Sequence, residues 1–300
     1  MRGNTLYVFD EQRRLACCTQ SVPRDIPGGR APIILLYHLA TWVSPRNIWR
    51  WPVLARRFKK RTGGRIIFCT NERSERRWLR LVGLEAEWLN HNLHVNENIF
   101  TIPTSSMEAR YDAVYAAQLS QYKRLELAAK IGKLYVITYS SRPPWNLHEF
   151  CPELSHAEYN RQWIPEEAVR DVYWSSKAGL ALSKYEGAML SSMEYMLTGL
   201  PVVSTRCRGG RDQFAEPDYW FRVDANASAV AEGVKRASES AVPRAVIRER
   251  VLAKVKVERL KYLNFLQQRF GLAYPTAEKG LEAIWGGDGL RKLGRPIDAL

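Results

Sequence analysis

Short apolar runs bounded by turn residues recur along the chain, separated by longer stretches with the mixed apolar and charged spacing of helices. In the first third, Thr5–Phe9, Leu15–Thr19, Pro32–Tyr37, Arg65–Thr70 and Glu85–Leu89 predict strands. Between them Val53–Lys60, closed by Gly63-Gly64, and Glu72–Val82, followed by Gly83, predict helices. Residues 24–31, with Pro27-Gly28-Gly29, predict a loop. Residues 90–104 (NHNLHVNENIFTIPT) have no period and reach Pro103, which predicts a crossing between domains. The rhythm then restarts. Tyr111–Gln118 and Leu134–Tyr139 predict strands, Gln121–Ile131 and Pro165–Ser176 helices, and 142–145 (RPPW) a rigid loop. Ala178–Ser183, a helix over Ala188–Thr198 stopped by Gly199, and Pro201–Thr205 predict a βαβ unit, whose connection should be right-handed. Phe221–Val223, Ala227–Ser238 and a long helix over Pro243–Phe270 complete the pattern. The alternation implies an α/β protein with parallel sheets. Its divisions are 1–104, 105–270 and a C-terminal tail over 271–300, loosest from Gly286 onward.

Composition bounds this picture. The 300 residues are 46% hydrophobic and 25% charged, enough for two globular domains. No apolar run approaches membrane-span length, and the first residues lead into no signal-like hydrophobic stretch. Five cysteines without framework spacing point to a reducing, cytoplasmic setting. The net charge of +14 is concentrated early: residues 1–104 hold 17 Lys/Arg against 8 Asp/Glu. The runs at 56–61 and 73–80 read as solvated helix faces, as a basic face for an anionic membrane surface or acidic acceptor, or, last, as a nucleic-acid-binding patch. The chain has no nucleic-acid-binding motif.

Candidate chemistry gathers in the βαβ unit. Ligands in such sheets bind at the carboxyl ends of the strands. Glu186 lies in the strand-to-helix turn, and Glu194 lies two helical turns on along the row 186, 190, 194. A carboxylate accepts from two vicinal hydroxyls, as on a sugar. Gly187 lets a ligand approach the backbone, and the helix start offers N–H groups to a phosphate. On spacing alone the same two residues also fit a turn position and a solvated helix position. His38 follows a predicted strand, and His91 and His94 lie near the crossing. Each fits a hydrogen-bonded structural histidine as well as a sugar- or acceptor-side residue. Ten Trp, among them Trp42, Trp49 and Trp51, suit a core or an acceptor groove. There is no Asp-Xaa-Asp, no Cys/His ligand spacing and no Gly-rich phosphate loop, so no metal or cofactor is expected.

The run Leu182-Ser183, Glu186-Gly187, Glu194, Gly199, Pro201-Val202-Val203-Ser204-Thr205 and Gly209-Gly210 resembles the nucleotide-binding segment of family-four retaining glycosyltransferases. The resemblance extends over roughly residues 90–270 and implies a GT-B fold: two Rossmann-like domains facing a cleft, here with a reduced N-terminal domain. It places Glu186 near the donor sugar and Glu194 on the ribose, with Ser183, Gly187, Met189 and Leu190 beside the donor. Lys123 matches the family's diphosphate-binding Lys. Where the family has an Arg five residues earlier, this chain has Gln118, and Arg124 is the candidate to compensate. The implied activity is metal-independent transfer of a sugar from a nucleoside-diphosphate sugar to a glycan, lipid-linked or small acceptor, with retention. Lys123 and Glu186 would be the catalytic pair, and the enzyme would work in the cytoplasm or at the inner membrane face. The competing expectation is an inactive nucleotide-binding or partner-subunit module of the same fold.

Overall fold

The apolar runs become two separate sheets. The computed structural model describes residues 6–10, 14–19, 32–105, 107–139 and 146–286. The loops expected at 24–31 and 142–145 lie outside the described residues. The N-terminal half holds β1 (Leu6–Asp10), β2 (Leu15–Thr19), β3 (Ile34–His38), α1 (Arg50–Thr62), β4 (Arg65–Thr70), α2 (Arg73–Leu81) and β5 (Ala86–Trp88). Their sheet has the order β1-β2-β3-β4-β5, antiparallel at β1–β2 and parallel elsewhere.

The second half holds β6 (Ala113–Gln118), β7 (Leu134–Tyr139), α3 (Leu147–Phe150), β8 (Glu158–Tyr159), α4 (Glu166–Trp174), β9 (Gly179–Ala181), α5 (Leu190–Leu197), β10 (Val202–Thr205), β11 (Trp220–Val223), α6 (Ala227–Ser238), α7 (Arg244–Phe270) and α8 (Ala277–Trp285). The sheet is parallel throughout, in the order β11-β10-β9-β6-β7-β8. Chain order therefore runs one way from β6 and the other way from β9. These two strands flank the topological switch point, where such sheets open a crevice at their carboxyl ends.

Period-two alternation explains how the N-terminal sheet is covered on both faces. Cys18, Leu35, Tyr37, Ile66 and Phe68 face one way, onto Trp51 and Phe58 of α1 and Leu79 of α2. Leu15, Cys17, Leu36, Ile67 and Cys69 face the other way, onto Tyr262, Leu263 and Leu266 of α7 and Ile284 and Trp285 of α8. The tail expected from 271 thus contains a packed helix, Ala277–Trp285, which shares with α7 the cover of the sheet's second apolar face. The division at 270 also changes. Ile247, Val251 and Val255 of α7 belong to the C-terminal core, and its last turns belong to the N-terminal one.

The non-periodic crossing is held by arginines. Arg248 donates to the Leu197 and Glu97 carbonyls (2.8 Å each), and Arg259 donates to the Leu93 (3.0 Å) and Val95 (3.1 Å) carbonyls and to the Glu97 carboxylate. The basic runs at 56–61 and 73–80 lie on the outer faces of α1 and α2; in the first, Phe58 alone is buried.

One expected helix is absent. Residues 121–131 form two short 3₁₀ turns, Gln121–Lys123 and Leu125–Ala128, broken by Arg124 in the left-handed region (φ 53°). The Lys123 carbonyl accepts from the Tyr115 hydroxyl (2.6 Å) instead of continuing a helical ladder. Among the described residues no helix is long and apolar enough to cross a membrane.

Candidate functional site at the switch point

Two segments meet above the β6–β9 junction. The first leaves β6 at Gln118 and turns back through Lys123. Arg124 fixes it from below: Nε donates to the Leu182 carbonyl (2.7 Å) and Nη2 to the Thr205 hydroxyl (2.7 Å). The second segment leaves β9 and runs through Lys184, Tyr185 and Glu186. It is pinned by Lys184 N–H to the Tyr122 carbonyl (2.9 Å) and by Glu186 N–H to the Arg208 carbonyl (2.9 Å). The Lys123 ammonium consequently meets the Glu186 carboxylate directly. Both side chains are more than nine-tenths buried. A buried ion pair is expensive to desolvate and adds little net stability, so its position at a sheet's switch point marks a functional candidate.

Aromatic rings surround the pair. The Lys123 ammonium lies 5.3 Å from the Tyr122 ring, and Tyr122 stacks on Tyr185 at 5.1 Å. Tyr139, half exposed at the end of β7, has a phenol pKa raised by burial and is also acted on by Lys123, Glu186 and Glu194. Glu194 is buried and accepts from the Tyr173 hydroxyl (3.0 Å).

The structure joins Lys123 to Glu186 and buries Glu194 in α5, the helix that follows the Glu186 turn, but gives other expected residues different work. Gly187 meets protein rather than open space: a Cβ there would lie 2.7 Å from the Ala40 carbonyl oxygen of the other domain. Only glycine permits that approach. Met189 is extended, and α5 begins at Leu190, two residues later than the pattern predicts. Met189 is buried and Leu190 half-buried at the helix start. Ser183 is buried and accepts from Arg211 (3.3 Å). Gln118 ends β6, paired in register with Tyr139. Arg124 is committed to strand ends.

His38 and His94 are not at the cleft. His38 Nε2 lies 3.1 Å from the Tyr262 hydroxyl and 3.2 Å from His94 Nε2, while the Trp285 indole donates to His94 Nδ1 (3.3 Å). Burial lowers both imidazole pKa values and keeps the rings neutral. They fill the seam under α7 and α8, which return to cover that face. Among the described residues no group of three or more His, Cys, Asp and Glu is placed to hold a metal ion.

Three contributors have no clear sequence signal. Arg211 is fully buried and donates to the Ala181 (2.9 Å), Ser183 (3.3 Å) and Thr205 (2.6 Å) carbonyls, the Ser204 hydroxyl (2.8 Å) and the Asp212 carboxylate (2.8 Å). It ties together the ends of β9 and β10, from which the Glu186 segment emerges. Asn71 braces the facing domain, donating to the Leu39 carbonyl (2.6 Å) and accepting from His91 N–H (2.9 Å). Buried Glu75 accepts from Val43 (2.8 Å) and Asn71 (2.7 Å) N–H groups, and burial raises its pKa to about 7.

Beside the ion pair, between the domains, lies a cavity of about 860 Å³. Trp42, Arg46 and Glu72 line it from one side, and Arg124, Lys184, Tyr185 and residues 206–209 from the other. Lys123 and Glu186 are not in its wall; their sequence neighbours are. Of the tryptophans, Trp42 faces this space, whereas Trp51, Trp220 and Trp285 are core.

No protein-family model matches the chain, and no curated protein matches it. Solved structures do. Sucrose-phosphate synthase from Thermosynechococcus elongatus is 16% identical over 81% of this chain and 70% of that one, with a TM-score of 0.60. The Anabaena protein HepE, solved in complex with UDP, is 14% identical over 80% of this chain and 73% of its own, with a TM-score of 0.57. A glycosyltransferase from Rickettsia africae is 12% identical over 80% and 71%, with a TM-score of 0.56. Likenesses at these identities establish architecture: the chain has the GT-B fold, with two Rossmann-like domains facing a cleft.

Proposed function

We propose that the protein transfers a glycosyl group from a nucleoside-diphosphate sugar to an acceptor, with retention of anomeric configuration and without a metal ion. The observation that carries this reading is the buried Lys123–Glu186 pair at the switch point, with buried Glu194 on the helix that follows. Lys123 supplies positive charge to the leaving diphosphate in a dry site, where it acts most strongly. Glu186 orients the donor sugar and faces positive charge developing at its anomeric carbon. Glu194 receives the ribose hydroxyls, with Tyr173 holding its carboxylate in place. The N-terminal domain presents the acceptor, a glycan, lipid-linked or small molecule, and closure against Gly187 excludes water. The GT-B neighbours, one of them solved with UDP, support a nucleotide sugar as donor. The exposed basic faces of α1 and α2 suit peripheral contact with an anionic membrane, and the reaction belongs to the cytoplasmic side.

A thermal-shift screen against nucleoside diphosphates and their sugars tests the donor, because a specific ligand stabilises the fold by mass action. Stabilisation by one nucleoside diphosphate, followed by donor turnover unaffected by chelator, is the expected result. No stabilisation by any of them would sink the reading. A second reading, a binding-only module, draws on Gln118: the neighbouring Arg124 is held by Leu182 and Thr205 and adds no charge in its place. Nucleotide binding without donor hydrolysis or transfer, across many acceptors, would select it.

A further inference from the structure

We propose that the interdomain cavity binds a phosphoryl group carried by the acceptor, so that the acceptor substrate is a phosphorylated sugar. This rests on the glycosyl-transfer reading above and specifies its second substrate.

The argument begins with charge. Arg46 from one domain and Lys184, Arg206 and Arg208 from the other converge on a single bounded space. Among the described residues, none of the four makes an ion pair with a carboxylate. Among the described residues Glu72 is the one carboxylate lining the cavity, and it is already engaged. Its Oε1 accepts from the Trp42 indole (3.3 Å) and from the Ser74 hydroxyl, and its side chain caps α2. Closing the cleft therefore gathers like charges that the single negative charge of Glu72 offsets only in part. A ligand with more than one negative charge offsets that repulsion; a neutral sugar or a single carboxylate does not. A phosphomonoester carries close to two charges near neutral pH, and guanidinium forks match its oxygens.

The donor's diphosphate is a poorer claimant for these cations. Lys123 is the residue proposed to meet it, and Lys123 points away from the cavity wall, into the ion pair. The remaining surface of the cavity suits a sugar ring. Trp42 and Tyr185 lie 6.3 Å apart at 33°, and Tyr185 continues through Tyr122 to Lys123. The Arg208 guanidinium sits 6.0 Å from the Trp42 ring, so cation and aromatic face are presented together. An apolar wall leading from the cations to the ion pair would hold a sugar with its phosphate outward and its hydroxyl toward the reacting centre. The volume, about 860 Å³, is large enough for one sugar phosphate.

The test compares glucose 6-phosphate with glucose by calorimetric titration in the presence of UDP, on the full chain. A second arm asks whether a polyprenyl phosphate in neutral detergent micelles displaces glucose 6-phosphate, which separates a lipid-linked source from a soluble one. The variant is Arg46→Gln with Lys184→Gln, Arg206→Gln and Arg208→Gln; all four side chains are exposed, so the fold tolerates it. We expect at least a tenfold preference for the phosphorylated sugar, lost in the variant, with UDP affinity changed less than twofold. Displacement by the polyprenyl phosphate assigns the lipid source; its failure assigns the soluble one. Equal binding of glucose and glucose 6-phosphate, or a variant that keeps the preference, overturns the proposal. So does a parallel loss of UDP binding, because the cations would then serve the donor. Absence of UDP binding in the unaltered protein, with the phosphate preference intact, instead removes the transferase reading alone.

Discussion

Breaking the Lys123–Glu186 pair from one side should cost stability as well as activity. Lys123→Met keeps the length of the side chain and removes its charge. The Glu186 carboxylate is then left uncompensated in a site where its side chain is only 8% exposed. Removing one partner of a buried pair costs about 3–5 kcal/mol. The pair borders a cavity, and water reaching the carboxylate places the expected loss near about 3 kcal/mol. At roughly 2–4 °C per kcal/mol for a domain of this size, the melting midpoint falls by roughly 6–12 °C. Glu186→Gln should behave similarly, because it strands the ammonium. The double variant restores neutrality, so its loss should fall below the sum of the two by about 1–3 kcal/mol. Transfer activity should be abolished in all three. Denaturant unfolding of the four proteins closes the cycle, and a transfer assay on the same samples gives the second axis. Additive losses would mean that the two charges do not meet. A stable Lys123→Met protein with full activity would remove both the pair and the mechanism.

Gly187→Ala should force the Ala40 backbone away and lower transfer at least tenfold, while isolated nucleotide binding falls less; equal turnover in the variant would show that the domains need not approach there. Arg211→Lys keeps a charge but loses the fork that joins five carbonyl and hydroxyl acceptors, and should cost about 3 kcal/mol or more in denaturant unfolding, against a loss under 0.5 kcal/mol if the strand ends hold themselves. Glu75 has a folded pKa of about 7 against a reference of 4.5, so between those values the unfolded chain releases a proton that the folded chain keeps. Its contribution is complete below about pH 4.5 and lost by about pH 7, up to about 3 kcal/mol, and Glu75→Gln should flatten that slope in melting curves taken across the window.

Much of the fold was legible because strand and helix periods survive burial. Leu15–Thr19, Arg65–Thr70 and Leu134–Tyr139 are strands over the same residues that the apolar runs mark, and Ala227–Ser238 is a helix over its full expected span. The pattern could not foresee where tertiary donors replace a helical ladder. Residues 121–131 have helix-forming composition, yet the Tyr115 hydroxyl takes the segment's own Lys123 carbonyl, the Arg124 side chain binds the distant Leu182 carbonyl, and two 3₁₀ turns form. Nor could it show that α7 and α8 cross back to the first sheet, since amphipathic spacing marks an apolar face without naming its partner. That crossing is what turns His38 and His94 from cleft candidates into seam residues. At the site, the spacing of Glu186 and Glu194 was readable because both follow one strand. Arg211 was not, because a buried arginine and an exposed one look alike in the run Arg206-Cys207-Arg208-Gly209-Gly210-Arg211.

The two sides of the domain junction are held by different physics. Along α7 the crossing segment is fixed by charge-assisted hydrogen bonds from Arg248 and Arg259, several of them buried, and by the apolar seam of Tyr262, Leu266 and Trp285. At the cleft the contact is backbone against backbone: Gly187 on Ala40 and Gly210 on Asn71, joined by Asn90 donating to the Gly210 carbonyl (2.9 Å) and the Gln213 side chain (2.8 Å). Charge-assisted bonds are roughly twice as strong as neutral ones, and buried apolar area adds to them, whereas two neutral bonds and van der Waals contact are readily exchanged for water. The α7 side is therefore the fixed edge and the glycine side the one that can open. The gathering of Arg46 with Lys184, Arg206 and Arg208 acts in the same direction, since closure brings those charges together. An anionic ligand reverses that term. The residues that would recognise the substrate are thus also those that make the closed arrangement depend on its presence.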